Sequence, residues 1–189
     1  MSPDTPQLVV RLCVIAFLAV ILQSAVVGQL HIFGVPPDIS PLVVMAIGLL
    51  LGSTTGAAFG FGVGLLLDLA LLQTLGISSL LLTVIGYAAG RLRELRDPAH
   101  GLVPMGVGAA AAAVFVTGSA VMQFLLGFDV PISPLLVRDI VLGILLDTLI
   151  AIPVHNIVRR PLLDFLPDAP RRRRRRAYTT GGLSPLSRN

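Results

Sequence analysis

Charge is scarce in this chain of 189 residues: only 13% are Asp, Glu, Lys or Arg, about half of the roughly 25% that a soluble domain carries. So few charges could not cover the surface of a soluble fold this long, which excludes a water-soluble enzyme. Lysine and tryptophan are absent, and all 14 basic residues are arginine. The one cysteine, Cys13, lies inside an apolar run, so neither an intramolecular disulfide nor a thiolate metal cluster is expected. His31, His100 and His155 stand far apart, and none has a helical i, i+4 partner. No Ser–His–acid arrangement and no pair of carboxylates on a water-facing helix emerges. The sequence therefore predicts no catalytic set, no cofactor and no metal site.

Long apolar runs broken by short Gly/Pro seams make up most of the remainder, and 54% of the chain is hydrophobic. The first run, 8–28, is long enough to cross a hydrocarbon core of ~30 Å as one helix. The leading MSPDTPQ has no basic region and no small-x-small cleavage site follows, so a retained span is expected. A seam with Pro36, Pro37, Asp38 and Pro41 comes next, with Asp38 or Ser40 as N-cap. From 39 to 90 the only charge is Asp68. As one helix that stretch would be ~78 Å long, so it must cross more than once. Seams at Gly52–Thr55 and Gln73–Gly76 divide it into spans 39–52, 55–72 and 76–90. Two further runs, 102–126 and 134–158, complete the set.

Arginine sets the orientation. Arg91, Arg93 and Arg96 follow the fourth span, and Arg159, Arg160 and a six-arginine run follow the last. The positive-inside rule places both clusters in the cytoplasm, which requires an even number of crossings between them. The expected fold is an all-α polytopic membrane protein of about six transmembrane helices with both termini cytoplasmic. Five crossings with the N-terminus outside stays open, because Arg11 is a weak signal. Residues 1–166 form the helical domain and 167–189 a disordered basic tail. Arg171, Arg172, Arg173, Arg174, Arg175 and Arg176 would meet anionic lipid at ~1 kcal/mol per basic residue near the surface. A membrane tether makes lipid the partner of this run, with no nucleic acid expected.

Two patterns mark candidate functional residues. Glycine recurs every four residues at Gly48, Gly52, Gly56, Gly60 and Gly64, and Asp68 continues the register. Such spacing lets membrane helices approach closely, either within the bundle or against a partner's helix. The strict period would also suit one long tilted helix, but Ser53, Thr54 and Thr55 favour a break. The second pattern is the intramembrane charges Asp68, Arg138, Asp139 and Asp147. Charges at such depth are expensive and suggest function by default. Asp68 and Arg138 fall at equal depth and are expected to pair, while Asp147 lies near mid-membrane with no obvious partner.

Pro37-Asp38, the stretch from Gly56 through Gly60 and Gly64 to Asp68, Leu75-Gly76, and Gly86-Tyr87-Ala88-Ala89-Gly90-Arg91 occur in an order that resembles the rod shape-determining protein MreD family, over about residues 8–160. The resemblance implies an inner-membrane scaffold of the bacterial cell-wall elongation machinery, not an enzyme. Its implied partners are an MreC-like protein, the actin-like MreB, a shape-and-division glycosyltransferase and a class B penicillin-binding protein. The implied six-helix fold is similar to that of the substrate-binding subunits of energy-coupling-factor vitamin transporters, which are the rival reading. Lack of tryptophan, with Tyr87 the only tyrosine in a span, disfavours a small-molecule pocket. The transporter subunits dock their coupling protein through small-residue stripes in the first span, and here that span has only Ala16, Ala19, Ser24 and Ala25 as small residues. The scaffold is preferred, with the third and sixth spans packing against partner helices.

Overall fold

The computed structural model describes residues 5–26, 37–95, 103–127 and 134–165. These residues form six α-helices and no strand. They are α1 (Thr5–Ile21), α2 (Ile39–Leu51), α3 (Ser53–Ala70), α4 (Ile77–Leu95), α5 (Val103–Leu125) and α6 (Pro134–Arg159). A π-helical turn, Leu22–Val26, prolongs α1, and a 3-10 turn, Arg160–Phe165, prolongs α6. Four helical segments are long and apolar enough to cross a membrane: Pro6–Ala25, Ser53–Ala70, Val103–Leu125 and Ile140–Leu162. Helix α2 is too short for that test, and α4 carries Arg91, Arg93 and Glu94 in its last turns. The arginine tail, with Arg171 to Arg176, lies outside the described residues.

Helix α2 is the hub. Its sequence is apolar on every face, and every residue from Ser40 to Leu50 is buried, as expected of a helix enclosed by others. All five other helices touch it. The outer surface is apolar too, with Phe17, Leu18, Phe61, Leu69, Leu149 and Ile157 all exposed. An apolar core inside an apolar surface is stable only where the surrounding solvent is lipid.

The break between α2 and α3 takes a single residue instead of the four-residue seam expected at 52–55. Gly52 has φ 100° and ψ 178°, a conformation open to glycine and strained for other residues. Its N–H closes α2 on the Gly48 carbonyl, and its carbonyl accepts the Gly56 N–H, both at 2.9 Å. Ser53 then opens α3 by donating to Glu94 Oε1 from its backbone N–H at 3.3 Å and its hydroxyl at 2.6 Å. These donations, with Arg91 nearby, hold the Glu94 carboxyl below the usual carboxylate range.

Reversal at Gly52 folds the glycine ladder onto itself. A Cβ at Gly48 would lie 2.5 Å from the Gly86 carbonyl oxygen, and one at Gly56 would strike the same oxygen and lie 2.7 Å from Gly48 Cα. Three glycines from three helices therefore meet at one point. Along the same seam Gly60 faces the Leu82 backbone, Gly64 faces Ser79, and Gly90 faces Ser53. No side chain fits between these backbones, so close packing can do what hydrophobic burial cannot do in lipid. Gly60→Leu or Gly64→Leu is expected to force α3 off α4, with a loss of at least about 1–3 kcal/mol from overpacking. Thermal unfolding of the purified protein measures this. Wild-type stability in both variants would contradict the packing.

Candidate functional site

Helix α2 has 13 residues and is ~20 Å long, against ~30 Å of hydrocarbon. One end, at Gly52, lies beside Glu94 near the arginine-bearing end of α4. The other end is beside Asp147, in the middle of α6. The same distance recurs on two other helices. Asp147 precedes Arg159 by about twelve residues, or ~18 Å, and Arg11 precedes Gln23 by a similar stretch. The Arg11 guanidinium donates to the Pro161 carbonyl at 2.6 Å, joining the start of α1 to the end of α6. Helix α2 therefore begins well inside the bundle, about two thirds of a bilayer core from its arginine end.

A helix start leaves four backbone N–H groups unpaired, a severe penalty where water is absent. Here every one is accounted for. The Asp38 N–H donates to Asp147 Oδ1 at 2.9 Å, and the Ile39 N–H to Gln23 Oε1 at 2.9 Å. The Ser40 N–H donates to Asp38 Oδ1 at 3.2 Å. The fourth position is Pro41, which has no N–H to satisfy. Carboxylates also complement the positive end of the helix dipole. Side chains from α1 and α6 thus complete α2, and Asp147, only 2% exposed, has the partner that sequence reading did not find. Above this centre is a cavity of about 460 Å³, lined in part by Gln23, Asp38, Gln73, Thr74, Ser78 and Gln123.

Asp68 also serves backbone. Its Oδ2 accepts the Gly76 N–H at 2.7 Å, pinning the tight α3–α4 turn, where Leu72 and Gly76 have positive φ. The expected Asp68–Arg138 pair does not form. Arg138 is exposed on α6, while Asp68 is 1% exposed and turned to its own turn. Asp139 is on α6, and its side chain lies outside the described residues. The glycines Gly48, Gly56, Gly60 and Gly64 are brought together as one seam, and Gly52 is its hinge. Sequence reading missed Gly86 and Gly90 as the opposing half of that seam, although Gly86-x-x-x-Gly90 carries the same spacing. It also missed Gln23, the only amide side chain of the first span, and Glu94.

Among the described residues, no group of three His, Cys, Asp or Glu side chains could hold a metal ion. The polar side chains at the centre accept backbone N–H groups at the start of α2 and in the α3–α4 turn. Fold and site together define a helical membrane protein built on close helix packing. More specifically, the chain belongs to the rod shape-determining protein MreD family, whose model matches residues 5–161. It is thus a rod-shape-determining membrane protein of the MreBCD system. No curated protein and no solved structure matches it.

Removing one partner of a buried hydrogen bond leaves the other unsatisfied, at about 1–3 kcal/mol. Asp147→Leu is expected to lose that much stability, and Asp147→Asn, which keeps an acceptor, much less. Thermal melts in detergent distinguish the two. With no ion pair joining them, Asp68→Asn and Arg138→Ala should act additively in a double-mutant cycle, within about 0.5 kcal/mol.

Proposed function

We propose that the chain is a non-enzymatic scaffold of the bacterial cell-wall elongation complex, helping to direct side-wall peptidoglycan synthesis. It crosses the cytoplasmic membrane six times with both termini in the cytoplasm. An MreC-like protein, actin-like MreB, a shape-and-division glycosyltransferase and a class B penicillin-binding protein are its partners on this reading, and the Arg171–Arg176 tail meets anionic lipid. The matching depths of Arg11, Glu94 and Arg159 support a common cytoplasmic end, since arginine accumulates on that side. Six crossings would also suit the substrate-binding subunit of an energy-coupling-factor transporter, but Gln23, Asp38 and Asp147 are engaged with α2's own backbone, which favours the scaffold.

One observation carries the scaffold reading. The glycine seam is consumed inside the bundle, yet α3 has a second, open face. Between α1 and α3 runs an apolar groove of about 1040 Å³, with Ala16 and Phe17 on one wall and Thr55, Ala58 and Gly62 on the other. A Cβ at Gly62 would meet nothing within 4 Å. Small residues at this spacing admit a second helix closely, and the partner's membrane helix docks here. The glycine ladder, which the sequence left open to internal packing or to a partner's helix, is used inside the bundle, and the docking face lies on another side of α3.

Gly62→Leu should therefore leave the protein abundant and folded, reduce co-purification of the MreC-like partner, and widen the cells. A variant that retains the partner at wild-type level removes this docking face. Depletion of the protein should round the cells and delocalise side-wall synthesis; unchanged rods would overturn the elongation role itself.

A further inference from the structure

A second groove lies between α4 and α5, at the arginine-bearing end of the bundle. Its volume is about 530 Å³, and Val84, Ala88, Leu92, Gly106 and Ala110 help to line it. Among the described residues, Arg93 is the only charged one on its walls. The other described charges in the last turns of α4 are engaged elsewhere: Arg91 pairs with Glu94 at 3.1 Å, and Glu94 also binds Ser53. Arg93 is half-buried, and among the described residues no hydrogen bond or ion pair holds its guanidinium. Gly106 leaves the α5 wall open, because a Cβ there would meet nothing within 4 Å.

Dimensions identify the occupant. From Arg93 to Val84 the groove follows α4 for about nine residues, or ~14 Å. That is close to half of a ~30 Å hydrocarbon core, the depth of one leaflet. An apolar slot one acyl chain deep, with a single cation at its interfacial rim, has the complementarity of a phospholipid. Basic pockets between helices on the cytoplasmic side are places where anionic headgroups bind. An arginine guanidinium also presents paired donors that match a phosphate's oxygens.

We propose that the α4–α5 groove is a binding site for one anionic phospholipid of the cytoplasmic leaflet. The headgroup phosphate sits on Arg93 and one acyl chain fills the slot past Gly106 and Ala110. The site is separate from the arginine tail, which meets headgroups without a groove for the chain. It rests on the membrane-crossing reading and not on the scaffold role, so the test uses purified full-length protein without partners.

The probe is phosphatidylglycerol carrying a photoreactive diazirine in its acyl chain, with the phosphatidylcholine analogue as control. Labelled peptides are mapped by mass spectrometry. Labelling by the anionic probe is expected to concentrate on 84–92 and 103–114, about five-fold above the control. Arg93→Gln should remove that preference, and Gly106→Leu should suppress labelling of the groove by both probes. Arg159→Gln, at the same end of the bundle but away from the slot, should change neither. Equal labelling by the two lipids, or an unchanged pattern in Arg93→Gln, would reduce the site to ordinary surrounding lipid and overturn the proposal. Unchanged labelling in Gly106→Leu would overturn the placement of the chain. Loss in Arg159→Gln equal to that in Arg93→Gln would overturn Arg93 as the headgroup contact.

Discussion

A helix that begins in the interior of a membrane must pair every backbone N–H it exposes there, because no water can do so. Most of this structure is arranged around that requirement at the start of α2. Asp147 from α6, Gln23 from the end of α1 and Asp38 from α2 itself each accept one N–H, and Pro41 removes the fourth donor. Three distant parts of the sequence are thereby fixed to one depth. A short central helix has a further consequence: it leaves room above itself for a polar-lined cavity instead of another layer of apolar side chains.

Below that point the glycine seam takes over. Gly48, Gly56 and Gly86 bring three backbones together where no Cβ fits, and the hinge at Gly52 makes the meeting possible. The two devices divide the work of stabilising helices in lipid, where burial of apolar surface gives no net drive. Polar caps set the depth of α2, and close backbone packing sets its neighbours. Faces not used by either are left open as two apolar grooves, between α1 and α3 and between α4 and α5, the first proposed for a partner's helix and the second for lipid.

The helical class was legible in the sequence because apolar length is a local signal. The ladder of glycines was legible as a packing device, but not its partner. Whether Gly60 faces the interior and Gly62 the outside depends on which way α3 turns after Gly52, and spacing alone does not carry that. The intramembrane charges were legible as important and misread in detail. The sequence placed Asp68 and Arg138 at equal depth, yet depth counted along a helix does not specify azimuth, and Asp68 takes the Gly76 N–H, which is close in the chain. Asp147 appeared isolated because its partner is a backbone N–H, which no sequence motif displays. The shortness of the span at 39–52 was the clue that α2 begins inside the bundle, and the structure gives the helix 13 residues.

Hydrogen exchange at the start of α2 tests the central claim most directly. The amides of Asp38, Ile39 and Ser40 lie between Pro37 and Pro41, which contribute none. First-turn amides of an ordinary helix lack intrahelical acceptors and exchange freely with water. In the purified protein in lipid nanodiscs, these three are expected to be protected as strongly as the middle of α2, and to lose that protection in Asp147→Leu. Rapid exchange of all three in the wild-type protein would mean that α2 begins in water, and would contradict the account.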